Sequence, residues 1–312
     1  MVACRPFAKA KIKMSRVAIV SHDAGGAEIL SSWLLRSDDL CSLVIDGPAI
    51  GIFDRKCFGT ERLTLADALE KCDWVLCGTG WASNLERQAI KLGRKQGKKT
   101  IAFLDHWVNY KERFQEIDGS VTLPDEIWVG DEQAQRIAEA AFPNIPVKLR
   151  INPYFEDLRR DFAQIKTNKS ATKKVSILYV CEPTRKHAYL KYGNEFHWGY
   201  TEEDALKYFL ENIGSLHLDI SYINIRPHPS ENSDKYQWAE ALAPELIRFG
   251  GAKSLMHETV KADVVVGCDS MAMVVGLLAG KRVISCIPPG GNSCQLPQAG
   301  IEHMQNLVEK RI

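Results

Sequence analysis

The chain has 312 residues, 45% of them apolar and 25% charged, and a formal net charge of +1. This length suggests about two domains, and the composition is that of a globular protein able to bury a sizeable core. The near-zero charge excludes a global field that would gather nucleic acid or an acidic partner.

Residues 1–16, MVACRPFAKAKIKMSR, are basic and lack the apolar centre of a signal peptide. They read as a flexible leader: a solvated tail or, alternatively, a segment weakly attracted to an anionic membrane surface. From residue 17 the pattern is strand, glycine-containing turn, helix: Val17 to Val20 is a β-branched run, and Ile29, Leu30, Trp33 and Leu34 follow at helical spacing. CSLVIDG then reads as a strand, TLADALEKC as a helix capped by Thr64, and DWVLCGTG as a strand ending in glycines. ASNLERQAIKLGRKQG is an amphipathic helix closed at Gly97. KTIAFLDHW and DEIWVGD are further strands, and DEQAQRIAEAAFP is a helix stopped by Pro143. Continuous apolar strands alternating with helices imply a parallel sheet covered on both faces.

A polar stretch, residues 156–172, reads as a linker leading out of a helix. The alternation then restarts. KVSILYVCEP is a strand, KYGNEFHWGYTEED a long loop, TEEDALKYFLENIG a helix, and LDISYINIRPHP a strand. KYQWAEALAPELI reads as a helix broken near Pro244. SLMHETVKA is a short helix, DVVVGCDS a strand, SMAMVVGLLAG a helix, KRVISCIPPG a strand, and 299–312 a terminal helix. The expected domains are thus 17–155 and 173–298. The nine cysteines include no CxxC pair, which points to buried thiols in a reducing, cytoplasmic compartment. No apolar run reaches the roughly 18 to 20 residues of a membrane span.

Ligands of open parallel sheets bind beyond the carboxyl ends of the strands, so the residues that follow each strand are the candidates. After the first strand, Gly25 and Gly26 allow close approach at a helix N-terminus, beside His22 and Asp23. Asp23 either caps that helix or serves a ligand. No GxGxxG dinucleotide fingerprint is present. Asp105, His106, Trp107, Asn109 and Tyr110 end another strand. Polar groups beside aromatic rings suit a saccharide, and Asp105 suits a general base; the other reading is a buried Asp–His pair with Trp107 in the core. In the second half, Glu182, Thr184 and Arg185 follow a strand, Glu182 suited to a base or ribose and Arg185 to a phosphate. Arg226 ends the next strand, and His228 is fenced by Pro227 and Pro229, which fix its backbone. Ser270, followed by Met271, opens a helix whose N-terminus suits a phosphate.

Two α/β domains with RPHP and GCDSMAMVVGLLAGKRV in the second resemble a GT-B glycosyltransferase, over roughly residues 175 to 290. His228 with Pro229, and Ser270, resemble the His-Pro and Ser motifs of bacterial sialyltransferases and surface-polysaccharide transferases. The resemblance implies two Rossmann-like parallel-sheet domains facing a central cleft. It places the nucleotide-sugar on the second domain, at His228, Pro229 and Ser270, to which the strand-end reading adds Glu182, Thr184, Arg185, Arg226 and Met271. His228 would meet the donor phosphate and serve as general acid. The base would be Asp23 or Asp105, with His22, Gly25, Gly26, His106, Trp107, Asn109 and Tyr110 around a saccharide acceptor. Where diphosphate-donor enzymes of this class carry a ribose-binding Glu, this sequence has Val275. That departure favours a CMP-activated nonulosonic acid as donor. No strand ends in a DxD pair, so no metal or cofactor is expected, and no nucleic acid partner. A peripheral contact with the inner membrane belongs to the same expectation. The competing expectations are a UDP-sugar 2-epimerase or nucleotide-sugar hydrolase on the same scaffold, and a non-catalytic nucleotide-sugar or glycan-binding protein.

Overall fold

The computed structural model describes residues 14–80, 83–116, 118–165 and 174–309. The chain divides into two compact units, residues 1–154 and 155–312. Most of the leader and the second half of the linker lie outside the described residues.

The N-terminal unit runs β1 (Arg16–Ser21), α1 (Ala24–Leu34), β2 (Leu40–Ile45), α2 (Pro48–Lys56), α3 (Leu65–Lys71), β3 (Trp74–Cys77), α4 (Leu85–Lys95), β4 (Lys99–Leu104), β5 (Glu126–Val129), α5 (Glu132–Ala141) and β6 (Val147–Leu149). Its six strands form one parallel sheet in the order β2-β1-β3-β4-β5-β6. Strand sequences such as VAIV and IAFL are apolar on both faces because helices cover both faces. Val17, Ile19, Leu30, Leu43, Phe53, Leu76 and Phe103 build one core. Helix ends follow the sequence signals: the Thr64 hydroxyl accepts from the Asp67 amide and Asp131 accepts from Ala134. Gly97, at φ +69, takes the left-handed position just beyond α4.

α6 (Pro153–Gln164) crosses the boundary between the units. The C-terminal unit continues with β7 (Val175–Val180), α7 (Thr184–Tyr192), α8 (Glu202–Asn212), β8 (Ile220–Arg226), a 3-10 segment Ser233–Ala241, β9 (Ile247–Phe249), α9 (Leu255–Lys261), β10 (Val264–Gly267), α10 (Met271–Leu278), β11 (Arg282–Ser285), β12 (Ile301–His303) and α11 (Met304–Glu309). The sheet is again six parallel strands, in the order β12-β11-β10-β7-β8-β9. Tyr179, Phe209, Ile223, Ile225, Val266, Ile284 and Met304 are among its core.

Several segments differ from the sequence reading, the short strand β6 among them. KYQWAEALAPELI is a 3-10 segment followed by β9, since Pro244 prevents a continuous helix. The terminal segment begins as strand β12 before α11. Residues 184–192, placed at a strand end and in a loop, form α7. GPAIGIFDRK, left unassigned, is α2, entered through Gly47 at φ +54. Among the described residues no helix is long and apolar enough to cross a membrane.

Candidate functional sites at the strand ends

Both sheets place their candidate residues at a topological switch point. In the N-terminal unit β1 has β2 on one side and β3 on the other; in the C-terminal unit β7 lies between β10 and β8. Where successive connections leave in opposite directions, the loops part and a crevice opens at the carboxyl ends.

In the N-terminal unit glycines bring the loops after β1, β3 and β4 together. A Cβ on Gly26 would lie 3.1 Å from the Gly78 Cα, and one on Gly80 would lie 2.7 Å from the Asp23 carboxylate. A Cβ on Gly25 would overlap the Asp105 Oδ2. Asp23 occupies the N-cap position of α1 but makes no side-chain cap bond to it. Its Oδ1 sits 2.6 Å from the His22 Nδ1. The His22 amide is fixed by the buried Glu86, whose Oε1 accepts from it at 2.8 Å. Burial pushes the Glu86 carboxyl up from its ordinary range. Gly47 lies against the imidazole, where a Cβ would be 2.6 Å from Nε2.

Asp105 is placed differently. Its Oδ1 pairs with the buried Arg113 Nη1 at 2.6 Å, and the Thr79 hydroxyl donates to it at 3.3 Å. Arg113 also donates to the Thr79 carbonyl. Trp107 and Tyr110 are 5% and 4% exposed, and the Trp107 indole donates to Asp131. These two rings therefore frame the loop and present no open face to a saccharide. His106 accepts the Trp107 amide at Nδ1, and burial lowers its pKa to about 4, so its ring is neutral. Asn109 is exposed, at φ +57.

In the C-terminal unit, Glu182 follows β7, and its Oε1 accepts from the Cys268 and Asp269 amides at 3.1 and 2.8 Å. Burial pushes this carboxyl up to about 7. It thus braces the turn between β10 and α10 from below. Asp269 closes the same turn from the other side: its Oδ1 accepts from the Gln295 and Leu296 amides. Ser270 is the N-cap of α10, with its hydroxyl accepting from the Ala272 amide. Met271 is the first residue of that helix, one of the positions whose amide has no partner within the helix.

His228 follows β8, beside β7. Its amide donates to Glu231, and the Ser230 amide donates to its Nδ1 at 3.2 Å. An amide only donates, so Nδ1 is the acceptor and the ring proton of the neutral form sits on Nε2. Burial lowers the His228 pKa. The charged residues expected beside it are engaged: Arg226 with Glu258 at 2.7 Å, and Arg185 with Glu203 at 2.5 Å. Thr184 is buried and opens α7. The structure therefore brings His228, Glu182 and the Ser270 turn to one edge of one sheet and commits Arg226 and Arg185 to ion pairs. Glu86, Glu231 and His187 carry no sequence motif; Glu86, in the first turn of α4, reads as ordinary dipole complementation.

No family model matches the sequence, and no curated protein matches it. Among solved structures the chain is similar to the UDP-GlcNAc 2-epimerase from Methanocaldococcus jannaschii, with 11% identity and a TM-score of 0.61 over 95% of this chain and 92% of that one. It is similar to the UDP-GlcNAc 2-epimerase from Neisseria meningitidis bound to UDP-GlcNAc, with 11% identity and a TM-score of 0.62 over 95% and 90% of the two chains. A fainter likeness, at a TM-score of 0.49 and 12% identity over 95% and 100%, is to the E. coli heptosyltransferase WaaC with ADP-2-deoxy-2-fluoro heptose. At such identities the first two likenesses show architecture. The chain has the two-unit, Rossmann-like α/β fold of GT-B type.

Proposed function

We propose that the chain is a glycosyltransferase of surface-glycan biosynthesis that takes a nucleotide-sugar donor and delivers the sugar to a saccharide hydroxyl. The observation that carries this reading is the set at the C-terminal switch point. His228 offers an Nε2 proton at the end of β8, and the α10 N-terminus, capped by Ser270, follows β10, on the other side of β7 in the same sheet. A proton donor and a helix N-terminus together stabilise charge on a departing phosphate. Glu182 acts through the turn it braces, as a positioning residue.

The N-terminal unit carries a proton-accepting group at its own strand ends. His22 donates Nδ1–H to Asp23, which leaves Nε2 as the proton acceptor of the neutral ring. Asp105 is held by Arg113, so the His22–Asp23 pair is the better proton acceptor for the incoming hydroxyl. Gly25 and Gly26 let the loops after β3 and β4 pack against the start of α1 beside it. The donor expected from Val275, which is buried in α10 and lacks a ribose-binding carboxylate, is a CMP-activated nonulosonic acid.

A second reading is a UDP-sugar 2-epimerase, because two of the structures that the chain resembles, at TM-scores of 0.61 and 0.62, are UDP-GlcNAc 2-epimerases. Incubation of the chain with CMP- and UDP-sugars, with and without saccharide acceptors, separates the two. Transfer that requires an acceptor and is lost in His228→Ala supports the transferase. Acceptor-independent formation of a 2-epimer from UDP-GlcNAc overturns it. Full transfer by His228→Ala removes the role given to that imidazole.

A further inference from the structure

α7 starts where β7 ends, and β7 pairs with β8, so the first turns of α7 stand beside the end of β8. His187, on that helix, meets His228 edge to face, with ring centroids 6.4 Å apart and planes at 80°. Both rings are half-buried, and the exposed Lys186 adjoins them on the same helix.

The carboxylates facing this pair are already matched. Glu202, in the first turn of α8, holds Lys235 and accepts the Arg185 amide. Glu231, after β8, holds the same Lys235, the Tyr236 hydroxyl and the His228 amide. Lys235 bridges the two acids, and with the exposed Lys186 the four charges cancel until an imidazole takes up a proton at the carboxyl end of the sheet.

We propose that His187 is a second binding residue of the phosphate site, and that His187, His228 and Lys186 together receive a phosphate of the nucleotide. This rests on the donor reading given to His228 and Ser270. Two imidazoles side by side, each able to carry a proton when an anion arrives, fit an anion that must be bound and later released. Burial holds both rings below the ordinary histidine range, with Lys186 pushing each the same way against the opposite pull of Glu231. A bound phosphate reverses that balance, so nucleotide binding takes up protons and tightens as pH falls.

The test is isothermal titration of the full chain with CMP, CDP and UDP, and with cytidine and uridine as phosphate-free controls, at about pH 6 and about pH 8. The expected result for His187→Gln is about tenfold weaker nucleotide binding at the lower pH, the loss of one charge-assisted hydrogen bond. Its pH dependence flattens, and nucleoside binding is unchanged. Wild-type nucleotide affinity and pH slope in His187→Gln overturn the role of His187 and leave the donor reading standing. Equal weakening for nucleoside and nucleotide also overturns it, because that is the mark of a structural effect. A wild-type chain that binds none of the three nucleotides overturns the donor reading and this inference together. Should His187→Gln melt well below wild type, Lys186→Gln on the exposed neighbour reads the same cluster. A severalfold loss of nucleotide affinity at about pH 8 supports the proposal, and unchanged affinity overturns it.

Discussion

Glu182 occupies a position where a carboxylate is costly and useful at once. It lies half-buried against the turn from β10 to α10, it accepts two amides there, and desolvation pushes it from an ordinary 4.5 up to about 7. Between those two values the folded chain keeps a proton that the unfolded chain releases. Stability therefore falls as pH rises through this window and levels off above it, by about 3 kcal/mol in all from this one group. Glu182→Gln keeps an oxygen for the two amides and removes the titration. The variant is expected to exceed wild type in stability at about pH 8 and to match it near pH 4, the comparison made by urea unfolding at both. An unchanged difference across that range would mean that Glu182 does not titrate there. At this same scale the sequence was a partial guide. The prolines around His228 marked a fixed imidazole, but nothing local to Glu182, Arg226 or Trp107 disclosed their partners. Glu182 bonds residues 86 and 87 positions away, and Arg226 pairs with a residue 32 positions away. Such pairings are made by the sheet order, which a linear reading does not contain.

At the scale of elements, long apolar strands and periodic helices were legible and short or irregular ones were not. The strands that escaped the reading, β6, β9 and β12, have three residues each and all lie at sheet edges. Too short to show a period, and half-exposed, they carry little apolar signal. α7 escaped for a different reason: its sequence, TRKHAYLKY, leaves Tyr189, Leu190 and Tyr192 exposed, so its apolar residues do not mark a buried face. α8 is the opposite case. Thr201 and Asp204 form a capping box at its start, and its first turn carries Glu202. That glutamate holds Lys235 and the Arg185 amide, so the cap also fixes the acidic wall behind the two imidazoles. Thr201→Ala is expected to cost about 1–2 kcal/mol in urea unfolding. It should also weaken CMP or UDP binding severalfold through the loosened Glu202, as read by titration. Lost stability with intact nucleotide affinity would separate the cap from the site.

At the scale of the whole molecule, each unit has its own sheet and its own buried core. Two such cores give a chain of this length two candidates for independent cooperative unfolding. Substitutions confined to one unit can label the transitions. Gly25→Ala would drive a methyl into Asp105 and disturb its pairing with Arg113, all within the N-terminal unit. Glu182→Gln acts within the C-terminal unit. Calorimetry near pH 8 is expected to show two transitions, one lowered by Gly25→Ala and the other raised by Glu182→Gln. A nucleotide bound at the His228–Ser270 edge stabilises only the unit that holds it, by about 2.7 kcal/mol at a hundredfold excess over its Kd. Saturating CMP or UDP should therefore raise the transition marked by Glu182→Gln and leave the one marked by Gly25→Ala in place. If the nucleotide instead raised the transition that Gly25→Ala lowers, its site would lie among His22, Asp23 and the α1 N-terminus, and the roles given to the two units would be exchanged. A single transition moved by both substitutions would show that the cores unfold as one.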